Sequence, residues 1–164
     1  MRIGDLFFGR RIRQNHALEH ATVTILATMI PNLRVSARSS GQGFIIFGDV
    51  DRGKVRAAAQ MALERLQAGE AELAIHPNCG TNLAVGMVLA VIGGLLVMSL
   101  GRSRLRVIPA VAGALLAGSL GRPLGQVVQR HVTTLPDLHG VRVTEVMRRK
   151  FLRFVVVDVQ TVQD

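Results

Sequence analysis

The sequence predicts an α+β fold, a small mixed sheet with two helices, interrupted by a two-helix transmembrane hairpin. Three observations lead there. No acidic residue occurs from Leu73 to Pro136, and within that stretch two long uncharged runs flank a short basic segment. Before it, helix-like and strand-like stretches alternate. After it, only strand-like alternation follows.

The elements follow in order. Residues 12–29 (IRQNHALEHATVTILATM) read as a helix stopped by Pro31 and Asn32. Residues 33–39 alternate apolar and polar as a half-buried strand does, SSGQG is a turn, and residues 44–47 form the next strand. Asp49-Val50-Asp51 leads into a helix over about residues 51–68, with Val55, Ala58, Ala62 and Leu66 as its apolar stripe and Gly69 at its C-terminal end. Residues 70–76 alternate again and predict a strand, so that strand, helix and strand would form a right-handed crossover.

Residues 83–100 (LAVGMVLAVIGGLLVMSL) carry no charge and no amide. As a helix they measure about 27 Å, close to the thickness of a bilayer core. The basic loop 101–106 (GRSRLR) follows, then a second uncharged run over 107–121, closed by Arg122 and Pro123. This run is shorter and gains length if Arg106 and Arg122 snorkel to the interfaces. Gly86, Gly93, Gly94, Gly113, Gly118 and Gly121 suit close backbone contact between the two helices. No signal peptide is expected, because Arg10, Arg11 and Arg13 interrupt the first apolar stretch. Beyond the hairpin, 140–147 and 151–159 read as strands around a basic turn at Arg148-Arg149-Lys150. This tail is too short for a core of its own and should add strands to the N-terminal sheet. The expected organisation is therefore an N-terminal α+β part (1–82), the transmembrane hairpin (83–121) and C-terminal strands completing the sheet (122–164). The expected location is the inner (plasma) membrane as a multi-pass protein, with the globular part cytoplasmic.

Composition narrows the function. In 164 residues, 49% are apolar and 19% charged, which excludes disorder as the main state. One cysteine excludes a disulfide framework within the chain. The absence of Trp and Tyr argues against a stacking RNA module. A net charge of +9 suits nucleic acid or anionic lipid. The arginines cluster at the margins of the apolar runs, and no helix carries a groove-reading motif. The bilayer is thus the expected partner, and nucleic acid is not.

Two motifs carry chemistry. His16-Ala17-Leu18-Glu19-His20 is H-x-x-E-H. On a helix the two imidazoles share a face and can address one metal, with Glu19 close enough to activate a water. Read blandly, the same residues are ordinary hydrogen-bonded helix histidines. His76-Pro77-Asn78-Cys79-Gly80-Thr81 precedes the first apolar run. Pro77 fixes a turn, Thr81 or Asn82 can cap the helix, and the helix dipole favours the thiolate form of Cys79 that binds metals. The bland alternative is a capped turn with a buried cysteine. His131 and His139 have no ligand partner at a useful spacing and read as surface or structural residues.

In these two motifs, and in the apolar hairpin after them, the chain resembles uncharacterised bacterial membrane proteins of the YqhQ type, described as predicted metal-dependent enzymes. Their H-G-A-E-H is matched by His16, Glu19 and His20. Their H-P-R-C-G-T is matched by His76, Pro77, Cys79, Gly80 and Thr81, with Asn78 in place of the arginine. This chain is shorter, which points to a related small family of unknown function. The resemblance implies a metal site. The expected ligands are His16, His20, His76 and Cys79, the expected ion is zinc or another divalent transition metal, and Glu19 is the expected catalytic base. The expected function is a membrane-associated zinc hydrolase acting on a membrane peptide or lipid, with peptidase the leading subtype. Its rivals are a non-enzymatic metal-binding membrane protein and a structural membrane adaptor.

Overall fold

The computed structural model describes residues 4, 7–100, 106–151 and 154–163. The expected basic loop falls at 101–105, outside the described residues. The chain divides into two compact units, Met1–His76 with Arg130–Asp164, and Pro77–Gln129.

The first unit is α+β. Helix α1 spans Arg10–Met29. It ends before Pro31, with Asn32 in the left-handed region at φ 55°. Strands β1 (Ser36–Ser40) and β2 (Gly43–Phe47) form a hairpin through Gly41-Gln42. Gly43 must be glycine, because a Cβ there would strike the carbonyl oxygen of Val159. Helix α2 spans Arg52–Gln67, and the Asp51 carboxylate accepts the Lys54 N–H at 2.9 Å as its N-cap. Its C-terminus is a Schellman turn: Gly69 has φ 96°, its N–H reaches the Leu66 carbonyl, and the Glu70 N–H reaches the Arg65 carbonyl.

The chain then departs from expectation. Residues 70–76 do not form a strand. Ala71–Ala74 is a 3-10 turn, closed by Leu73 N–H to Glu70 O at 3.2 Å and followed by Ile75 N–H to Glu72 O at 3.1 Å. An alternation this short is equally compatible with i,i+3 spacing, and Ala, Glu and Leu favour helical backbone. Without that strand no parallel crossover occurs among the described residues. The sheet is wholly antiparallel rather than mixed, in the order β1-β2-β4-β3.

Strands β3 (Val141–Phe151) and β4 (Phe154–Gln163) come from the C-terminal tail, and β4 lies between β2 and β3. Arg148, Arg149 and Lys150, expected as a turn, continue β3. An edge strand tolerates such charges, and pairing supports two of them. Arg148 bonds Asp49 at 2.7 Å, and Arg149 lies 3.9 Å from Asp158 on β4. The connection at 152–153 lies outside the described residues.

The core lies between the two helices and one face of this sheet. Ala17, Leu18, Ala21, Ile25 and Leu26 come from α1, and Val55, Ala58, Ala62 and Leu66 from α2. They pack with Phe44, Ile46, Val157 and Val159 of the central strands. One polar network crosses this core. Buried Asn15 donates to the Ser40 carbonyl at 2.8 Å and accepts from the Thr161 hydroxyl at 2.7 Å, tying α1 to β1 and β4. Asn15→Ala would strand both partners, a loss of about 1–3 kcal/mol. A lower denaturation midpoint with an unchanged m-value is the expected result.

The second unit is helical. Helix α3 spans Gly80–Leu100, α4 Val107–Ser119 and α5 Gly121–Val128. Only α3, among the described residues, is by itself long and apolar enough to cross a membrane. Helix α4 has 13 residues and continues past a 42° bend rather than as one straight apolar helix to residue 121. The break precedes Pro123, whose missing N–H and ring oppose an unbroken ladder there. α3 meets α4 and the start of α5 along small residues: a Cβ on Gly93 would come within 2.6 Å of the Ala117 Cβ of α4, and one on Gly121 of α5 would strike Gly86. The large side chains point outward, with Leu83 67% exposed and Leu116 73% exposed.

Candidate functional site

Both histidines of H-x-x-E-H lie on α1, with ring centroids 4.3 Å apart. The decisive feature is what their Nδ1 atoms face. His20 Nδ1 is 2.7 Å from the Ala74 carbonyl oxygen, and His16 Nδ1 is 3.0 Å from the Thr133 carbonyl oxygen. A carbonyl only accepts, so each neutral ring carries its proton on Nδ1 and its lone pair on Nε2. This is the arrangement of a metal-ligating histidine whose second nitrogen is anchored to the backbone. The 3-10 turn that replaces the expected strand supplies one anchor, and the π-helical turn Gln129–Thr133 supplies the other.

His76, at the end of the same unit, has its ring centroid 5.7 Å from that of His20. Burial, and secondarily the charge of His20, push its pKa below the usual imidazole value. The neutral, ligating form is thereby favoured. Glu19 is 7% exposed on α1. Burial raises its carboxyl pKa, while the charge of His16 and a hydrogen bond from the Ser39 hydroxyl of β1 act in the opposite direction. A buried carboxyl tuned upward beside a histidine pair is suited to taking and returning a proton.

Cys79 belongs to the second unit, immediately before α3. Its Sγ accepts the Thr81 N–H at 3.4 Å, so the sulfur caps this helix, a role expected of Thr81 or Asn82. The Asn82 amide instead donates to the Pro77 carbonyl at 2.8 Å and accepts from Gln129 at 2.6 Å. His131 and His139 are exposed, and the His131 carbonyl accepts from Arg13.

His16, Glu19, His20 and His76 are thus gathered in one unit. Ser39 and the carbonyls of Ala74 and Thr133 join them without any motif in the sequence to mark them. Backbone carbonyls carry no side-chain signature, and Ser39 reads only as one residue of a strand.

Residues 11–146 match the model of a domain of unknown function, DUF6391. The chain belongs to that family. An uncharacterised protein of Picosynechococcus sp. is 37% identical over 139 residues, covering 78% of this chain and 68% of its own length. No solved structure matches. The DUF6391 match spans both motifs, the apolar helices and most of β3, so they form parts of one family domain.

Proposed function

We propose that this DUF6391 protein is a membrane-associated, metal-dependent hydrolase, with zinc as the leading ion. The observation that carries the reading is the pair of α1 histidines with Nδ1 anchored to backbone carbonyls and Nε2 left as the lone-pair nitrogen. The donors we assign are His16 and His20 of α1, with His76 beside His20 in the same unit, and Cys79 from the second motif. Only Pro77 and Asn78 separate Cys79 from His76, so the chain holds the two within about 11 Å. Two imidazoles and a thiolate are a donor set that zinc accepts, and a catalytic site keeps one position open for water or substrate. When bound, the ion would supply Lewis acidity and a water ionised near neutral pH. Glu19 would accept and return a proton at its carboxylate, and Ser39 would fix the carboxylate orientation.

The membrane reading extends to a two-helix hairpin, with α3 as one span and α4 with the bent segment after it as the other. The outward-facing leucines, valines and methionines of α3 support it, as does the glycine-lined contact between α3 and α4. A YqhQ-like enzymatic role rests on the two motifs alone. The rival is a metal-binding membrane protein in which His16, His20, His76 and Cys79 close the coordination sphere.

Metal analysis of the chain purified in detergent without chelators tests the proposal. One zinc per chain is the expected result, and no stoichiometric transition metal would overturn it. X-ray absorption then separates the readings: three protein donors and a light oxygen ligand support the enzyme, and four protein donors support the rival. Carbonate extraction should leave the protein in the membrane pellet.

A further inference from the structure

The second unit contains a groove of about 420 Å³ between α3 and the α4–α5 junction. Its lining changes character along its length. Asn78, Ser119 and Arg122 form the polar end, and Leu83, Met87 and Ala90 continue it along the apolar flank of α3. Helices α3 and α4 run antiparallel, with Gly86 against Gly118 near one end and Gly113 against Val97 nearer the other. The polar end therefore lies where α3 begins and α4 finishes, at one edge of the apolar region. Arg122 is exposed and has no acidic partner among the described residues. No acidic side chain exists anywhere from Leu73 to Pro136 to compete for it.

We infer that this groove binds one anionic phospholipid, with its phosphate on Arg122 and an acyl chain along Leu83, Met87 and Ala90. The inference rests on the membrane placement proposed above and narrows the substrate class from peptide or lipid to lipid. Charge complementarity carries it. An uncompensated guanidinium at the edge of an apolar channel matches a headgroup phosphate followed by hydrocarbon. A transmembrane peptide segment offers no fixed anion at that depth. The volume lies within the range of small-molecule sites, enough for a headgroup and the start of one chain. Asn78 lies one residue before Cys79, so a bound lipid would place its ester and phosphate bonds beside a proposed metal donor.

The test uses the full chain in phosphatidylcholine nanodiscs carrying trace spin-labelled phosphatidylglycerol or spin-labelled phosphatidylcholine. The wild type should immobilise the anionic probe about fivefold more than the neutral one, the scale of one basic residue at an anionic surface. Arg122→Gln should remove that preference, and Arg122→Lys should keep most of it. Ser119→Trp, which obstructs the polar end without changing charge, should also remove it. A preference that survives Ser119→Trp would reduce the effect to general surface electrostatics and overturn the site. Equal immobilisation of the two probes, or displacement of the anionic probe by an uncharged apolar peptide, would do the same. Free glycerol phosphate should not compete, since it lacks the chain. Zinc measured on the same discs keeps the two proposals apart. Lipid preference without zinc refutes the metal reading alone, and zinc without lipid preference refutes the groove alone.

Discussion

His20→Ala is expected to abolish stoichiometric zinc binding. Loss of an outer hydrogen-bond partner typically weakens a metal site by about 10–100-fold, and loss of a direct donor should exceed that. His16→Ala should act alike, because both rings present Nε2 from one helix face while the backbone holds Nδ1. Competition against a chromogenic chelator measures the change, and circular dichroism checks that α1 persists. Glu19→Gln is the informative contrast. It keeps the side-chain shape and removes the base, so zinc should remain bound. Hydrolysis of any substrate found should fall by about 10²–10⁴, the usual contribution of acid–base catalysis. Loss of zinc in Glu19→Gln would make Glu19 a ligand and refute its assignment as base.

Deleting residues 140–164 should prevent cooperative folding of the first unit. The deletion removes two of four strands, one of them central. β4 pairs with β2 along Gly43–Phe47 and with β3 on its other side, and Val157 and Val159 are fully buried against the helices. Their loss exposes Phe44, Ile46 and the α1 and α2 stripes to water. The expected result is a truncated chain with no sharp thermal transition. A conservative variant separates packing from chain loss: Val157→Ala in the intact protein should cost about 1–3 kcal/mol through the cavity it leaves. An unchanged melting temperature in both variants would show that the tail contributes nothing to the unit.

Local signals in the sequence were strong where one short-range interaction dominates. The α2 boundaries follow from Asp51 as N-cap and Gly69 as the positive-φ residue of its C-terminal turn, and both act within four residues. Residues 70–76 and 148–150 depart from their local pattern because their fate depends on distant partners. The first segment turns its Ala74 carbonyl toward His20, 54 residues away, and forms a 3-10 turn rather than a strand. In the second, Arg148 reaches Asp49, 99 residues away, and extends an edge strand where the charges suggested a turn. The expected mixed sheet failed with the first of these departures, since its only parallel pairing required that strand.

The pieces are legible residue by residue: an H-x-x-E-H helix, a histidine–cysteine turn, an apolar segment of spanning length and a tail patterned as strands. Each is set by side-chain periodicity or by a cap within a few residues, and such information is local. The folded chain sets which nitrogen of each neutral imidazole carries the proton, because that depends on the carbonyls of Ala74 and Thr133, which no side chain announces. It also decided that Ser39 bonds Glu19 and that β4 enters the middle of the sheet. Strand order is a choice among pairings of similar local energy. Burying Val157 and Val159 in the core they share with α1 and α2 settled it, an association of residues far apart in the chain.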